Sequence, residues 1–137
     1  MYEKTTNRRS FIGALLTAPW VFLMGGMYSV ARPAKSQAVP LCRFFIAGFQ
    51  FHQGRAALPA LVPGLPLVLH REPANPHDPL AIAVHTTAGS KLGYIPRRLN
   101  EIPATLMDSG HHLAAVIAGV ARDAPPWEMV EMEIRLG

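Results

Sequence analysis

The sequence predicts a mainly β domain, a small Greek-key-like β-barrel of five to six strands with one α-helix, behind an N-terminal apolar segment. Short alternating runs recur between dense turn signals, one stretch alone has helical spacing, and the composition changes near residue 38. Residues 43–51, rich in Phe and Ile, read as the first strand. In 67–71, Leu67, Leu69 and Arg71 share one parity and Val68 and His70 the other, which gives a second strand running into Pro73, Asn75, Pro76, Asp78 and Pro79. Ala81, Ala83 and His85 then alternate with Leu80, Ile82 and Val84, as in a strand with one face in a core and one near solvent. Ala88-Gly89 turns the chain into 91–95.

Residues 97–107 carry Leu99, Ile102, Leu106 and Met107 at helical spacing, with Pro103 set to limit the helix and Asp108-Ser109-Gly110 to end it. Residues 113–121 and 128–136 close the sheet. In the last, Val130, Met132, Ile134 and Leu136 fall on one parity and Met129, Glu131, Glu133 and Arg135 on a charged, solvent-facing one. Phe44, Phe45 and Phe49 are expected in the core, and Arg71 and Glu72 as an exposed pair at a strand end.

Two segments follow from composition, a leader over 1–38 and one domain over 39–137. Residues 11–31 contain no charge. The leader holds Lys4, Arg8, Arg9, Arg32 and Lys35 against Glu3, the whole net +4 of the chain, and the rest balances eight basic with eight acidic residues. The basic excess is therefore no footprint of a polyanion binder. The remaining length suits one domain with a modest core. Cys42 is the only cysteine, so no internal disulfide can form, and Leu41 before it is too bulky for a lipid-attachment motif.

Asn7-Arg8-Arg9-Ser10-Phe11-Ile12-Gly13 is similar to the twin-arginine export motif. Small residues at Ser29-Val30-Ala31 and Ser36-Gln37-Ala38 each offer a cut. The uncleaved alternative is a membrane anchor, since a span needs about 20 apolar residues. Either outcome implies a periplasmic domain, free or anchored, with the twin-arginine translocase as export partner. A cytoplasmic protein with an incidental motif is the remaining alternative.

Arg71-Glu72, Asn75-Pro76-His77-Asp78, Ala81-Ile82-x-Val84 and Leu92-Gly93-Tyr94-Ile95-Pro96, in this order and spacing, resemble the HIRAN domain. Gly48 to Gly54, Pro63-Gly64 and Pro126-Trp127 extend the resemblance over residues 43–136. It implies an OB-like barrel associated with DNA binding. Members that bind the end of single-stranded DNA use an aromatic and basic pair from the first strand, an Asn-Pro-x-Asp loop with an aromatic inside it, and polar residues after the Leu-Gly turn. Carried over, these fall on Gln50 and Phe51, on Asn75, His77 and Asp78, and on Tyr94, Arg97 and Arg98.

Two positions depart from the family pattern. Gln50 stands where Arg is usual, and His77 where Tyr or Phe is common. Phe51, His77 and Tyr94 would form a stacking platform, and Arg97 and Arg98 are left to meet phosphate, which implies weak, salt-sensitive binding. The competing readings are structural: Asn75 and Asp78 bonding their own loop amides, and Tyr94 in the core.

No cofactor is implied. His111-His112 point apart in a strand, and His70 and His85 lack a carboxylate or thiol at ligand spacing, so a zinc-binding or hydrolase-associated accessory domain ranks behind a binding module. No nucleophile elbow, phosphate-cradling glycine loop or paired carboxylates occur, and a non-catalytic role is expected. The alternative to DNA is an envelope protein or other ligand held in the same groove.

Overall fold

The computed structural model describes residues 38–137. The expected leader lies outside the described residues except for Ala38. Six strands form one antiparallel sheet in the order β1-β6-β5-β2-β3-β4. They are β1 (Val39–Phe45), β2 (Pro66–Arg71), β3 (Ile82–Thr86), β4 (Lys91–Tyr94), β5 (Leu113–Val120) and β6 (Val130–Leu136). The sheet curls into a half-barrel whose two edges touch once, beyond the end of β1. There Ala47 and Tyr94 exchange both backbone hydrogen bonds at 2.9 Å.

Gly93 permits that closure. Its φ is +152°, and a Cβ there would sit 2.2 Å from the Ala47 carbonyl oxygen. The Leu-Gly-Tyr triplet is thus a packing requirement: any side chain at 93 would push β1 and β4 apart.

Phe44, Ile46, Phe49, Leu67, Ile82, Val84, Leu92, Ile117, Met132 and Ile134 fill the concave side. β6 follows the expected parity, with Val130, Met132 and Ile134 buried. Its other face is less open than expected. Glu133 is buried, because Arg43 donates to it at 2.7 Å and Arg135 holds its second oxygen. Buried carboxylates persist only when bonded in this way.

β3 also departs from a half-exposed strand: Ala83 on the expected solvent face is wholly buried. Register explains it. Ala83 lies between His70 of β2 and Tyr94 of β4, and cross-strand neighbours of that size cover a methyl group.

The first strand is shorter than the sequence suggests. β1 ends at Phe45, Gly48 adopts φ 71°, and Phe49–Phe51 form a 3-10 turn leading into a four-residue helix, α1 (Gly54–Ala57). Phe and Ile alternation in 43–51 therefore spans a strand and a turn. Phe44 and Phe49 enter the core, whereas Phe45, paired with Glu131 on the outer face, is 42% exposed.

The helix predicted over 97–107 is divided. A 3-10 turn, Arg97–Leu99, precedes α2 (Glu101–Asp108). Pro103 falls in the first turn of α2, where no N–H is needed, so it is accommodated and buried. Ala104 is buried too, but Leu99 and Ile102 point outward, so the apolar stripe is not wholly a core face.

Candidate functional site

After β2 the chain folds back through residues 72–81. Glu72 N–H bonds the Ala81 carbonyl, and Asn75 N–H bonds that of Glu72. Asn75 Oδ1 accepts from the His77 amide at 2.9 Å, and Asp78 Oδ1 from the Leu80 amide at 2.9 Å. Both are Asx turns, in which a short side chain replaces a backbone acceptor. Asp78 Oδ2 also accepts from Asn100 Nδ2 at 2.7 Å, which pins the corner to the buried residue that begins α2.

Arg71 and Glu72 are not a simple exposed pair. Arg71 grips Asp108 through two 2.9 Å bonds and donates to the Ala81 and Pro79 carbonyls, tying the loop to the end of α2. Glu72 accepts from Asn75 Nδ2 (3.0 Å), Tyr94 hydroxyl (2.8 Å) and Lys91 Nζ (3.1 Å), and Lys91 also donates to the Tyr94 oxygen (2.6 Å). One carboxylate thus holds the loop, the floor tyrosine and a lysine together.

These elements wall a groove of about 490 Å³ lined by Phe51, Asn75, His77, Asp78, Tyr94 and Arg97, with Ala47, Gly48, His52, Ala81 and Ile95 completing it. Tyr94 presents its ring while its hydroxyl is tied below. His52 meets that ring edge-on at 5.5 Å between centroids. Phe51, lifted by the 3-10 turn, is 78% exposed. The lining is mainly apolar.

Charge inside the groove is sparse. For Glu72, partial burial opposes ionisation, but the bonds from Asn75, Tyr94 and Lys91 outweigh it and hold the carboxyl below its ordinary value. The Leu80 amide does most to lower Asp78, with Asn100 and the Arg97 charge adding to it. Burial, then the nearby Lys91 charge, lowers His52 below the ordinary imidazole value. Arg97 is the guanidinium on the groove wall.

Six of the eight carried-over residues come together: Phe51, Asn75, His77, Asp78, Tyr94 and Arg97. Gln50 does not line the groove; the 3-10 turn directs it inward, where its Oε1 is enclosed without a partner among the described residues. Arg98 belongs to a separate depression beside Phe45 and Trp127, because adjacent residues of a 3-10 turn point in different directions. His52 was missed by sequence reasoning. Gly48 was its available signal: a strand that ends at a left-handed glycine cannot carry its alternation on to residues 50 and 51.

The fold and groove define a small curled-sheet β domain with one loop-walled concavity. The HIRAN domain family model matches residues 39–136, and the chain belongs to that family. No curated protein matches it. It is similar to a Lactobacillus plantarum protein of known crystal structure, with 30% identity, a TM-score of 0.58, and 72% of this chain and 96% of that one covered. It is also similar to the HIRAN domain of human HLTF, with 25% identity, a TM-score of 0.58, and 72% and 76% of the two chains covered.

Proposed function

We propose that the domain is a non-catalytic binding module whose groove takes the end of a single-stranded nucleic acid, one base stacking on Phe51 over Tyr94 while Arg97 meets the adjoining phosphate. Family membership supplies the ligand class, since HIRAN domains are associated with DNA binding. The observation that carries the reading is the 78% exposure of Phe51 on the wall of a groove. A phenyl left in water forgoes about 1.5–3 kcal/mol of burial, and a base face recovers that contact area. His77 flanks the same space.

Asn75 and Asp78 act in this reading mainly by shaping the corner, because their oxygens are engaged within it. Loss of the usual first-strand cation at Gln50 and diversion of Arg98 leave one guanidinium for phosphate. Binding is accordingly weak and steeply salt-dependent.

Fluorescence anisotropy with a short labelled oligonucleotide at low salt tests this. A free 3′ end should bind better than the same strand closed into a hairpin; no binding at low salt, or equal binding of both, refutes the proposal.

A second reading is favoured by the balanced charge of residues 39–137 and the apolar groove. With the twin-arginine-like leader, these features suit an exported domain holding an envelope protein or apolar ligand instead. A reporter fused after Ala38 that stays inside the cell, unaffected by Arg8→Lys and Arg9→Lys, would eliminate that reading. Among the described residues, no three His, Cys, Asp or Glu side chains converge on one point.

A further inference from the structure

Five of the eight large apolar side chains left exposed among the described residues, Leu41, Phe45, Leu99, Ile102 and Trp127, line depressions outside the groove that Phe51 walls. Two adjoining depressions organise them. One is lined by Phe45, Leu99 and Trp127, the other by Leu41, Leu99 and Ile102, and Arg98 borders both. Ile102 is 71% and Trp127 59% exposed. A continuous patch of this kind on a small domain marks an interaction surface.

Chain connectivity indicates what covers it. β1 begins at Val39, two residues before Leu41 of the patch, and the charge-free run of residues 11–31 lies only seven residues upstream of β1. Fully extended, that connection reaches roughly 25–30 Å. The run has the length of a membrane span. A bilayer holding it would keep the Val39 side of the domain within tether distance of the lipid surface.

The side-chain chemistry agrees. Trp and Phe settle at the headgroup level of a bilayer, and Leu and Ile beside them supply apolar insertion. Arg98 can lay its methylenes along the apolar surface and give its guanidinium to lipid phosphate. Glu101, Glu128 and Glu131 also border the depressions, so the surface is no general polyanion site. Apolar insertion carries the attachment and Arg98 orients it.

We infer that the face formed by Leu41, Phe45, Leu99, Ile102 and Trp127 docks on the surface of a lipid bilayer when the chain keeps its leader. This is independent of what the groove binds. It assigns Arg98 and Trp127, prominent in the sequence and unused by the groove, to a second surface.

The chain has two tryptophans, Trp20 and Trp127, so Trp20→Phe leaves a single reporter in the patch. That full-length variant would be reconstituted into phosphatidylethanolamine and phosphatidylglycerol vesicles, with and without brominated acyl chains. Trp127 emission should shift to the blue and be quenched by the brominated lipid. Adding Ile102→Asp should abolish most of both changes while circular dichroism stays that of the folded sheet. Adding Phe51→Ala instead should leave them intact.

Unquenched emission at the wavelength seen in water would overturn the inference, as would quenching that survives Ile102→Asp. So would residues 38–137 forming a dimer at micromolar concentration that blue-shifts Trp127 without lipid, since a second copy would then be what covers the face.

Discussion

The two walls of the groove are built on opposite plans. On one side, the 75–78 corner spends its polar groups on its own surroundings: Glu72 joins Asn75, Tyr94 and Lys91, Asn75 also holds the His77 amide, and Asp78 holds the Leu80 amide and Asn100. On the other, Phe51 and His52 stand on a short turn and show their rings to solvent. The difference separates shape from contact. Residues bonded into the corner fix the groove, and the exposed rings are free to meet a ligand, so substitutions on the two walls should fail in different ways.

The largest effect is expected where the walls are joined. Gly93→Ala would drive a methyl into the Ala47 carbonyl and part β1 from β4. A loss of about 3 kcal/mol or more is expected in urea denaturation, together with loss of any groove binding. A variant of native stability would mean that the Ala47 to Tyr94 bridge is dispensable.

Next comes Asn100→Ala, which leaves the Asp78 Oδ2 without its 2.7 Å donor. It should lower stability by the same measurement, but by less than Gly93→Ala, since water can take the place of the lost donor at Asp78. Binding should weaken only as far as the corner loosens.

Acid sharpens the contrast further. The Glu72 carboxyl is held below its ordinary value, so its contribution is full above the unfolded-state pKa and disappears as pH falls through the lowered folded value. Thermal melts across the acid range should show this limb in the wild type and a flatter one in Glu72→Gln. An unchanged limb would place the acid sensitivity elsewhere.

The smallest effect separates the paired arginines. Arg97→Ala should reduce the slope of log affinity against log salt by a little under one unit if nucleic acid is the ligand, and Arg98→Ala should leave it unchanged. Equal effects would return both residues to one surface.

Much of this was legible in the sequence because β parity and turn chemistry are local. The strands from 66 onward, the turn at 88–89 and the inward set of β6 follow from alternation and Gly/Pro placement. Of the six groove residues, Asn75, His77, Asp78 and Tyr94 lie in the Asn-Pro-His-Asp and Leu-Gly-Tyr motifs, and Phe51 and Arg97 come with the family resemblance.

What escaped was set by tertiary neighbours. Nothing local distinguishes Phe45 from Phe44; their faces depend on pairing with Glu131 and Met132 of β6. Glu133 looks like a solvent residue until Arg43, 90 positions away in sequence, closes on it. Arg71 and Glu72 form an ordinary pair on paper, yet each organises a loop through residues 37 and 22 positions away. Gln50 was carried over by the family resemblance as a first-strand residue; the 3-10 turn that follows left-handed Gly48 keeps it out of the groove lining.

The account rests on Phe51 serving contact rather than shape, and one substitution measured twice tests that most directly. Phe51→Ala should leave the denaturation midpoint within about 0.5 kcal/mol of wild type, since the ring is already in water. It should also weaken anisotropy-measured binding of a single-stranded oligonucleotide by about 1–3 kcal/mol, roughly fivefold to 150-fold. Unchanged affinity, or lost affinity accompanied by an equal loss of stability, would contradict the account.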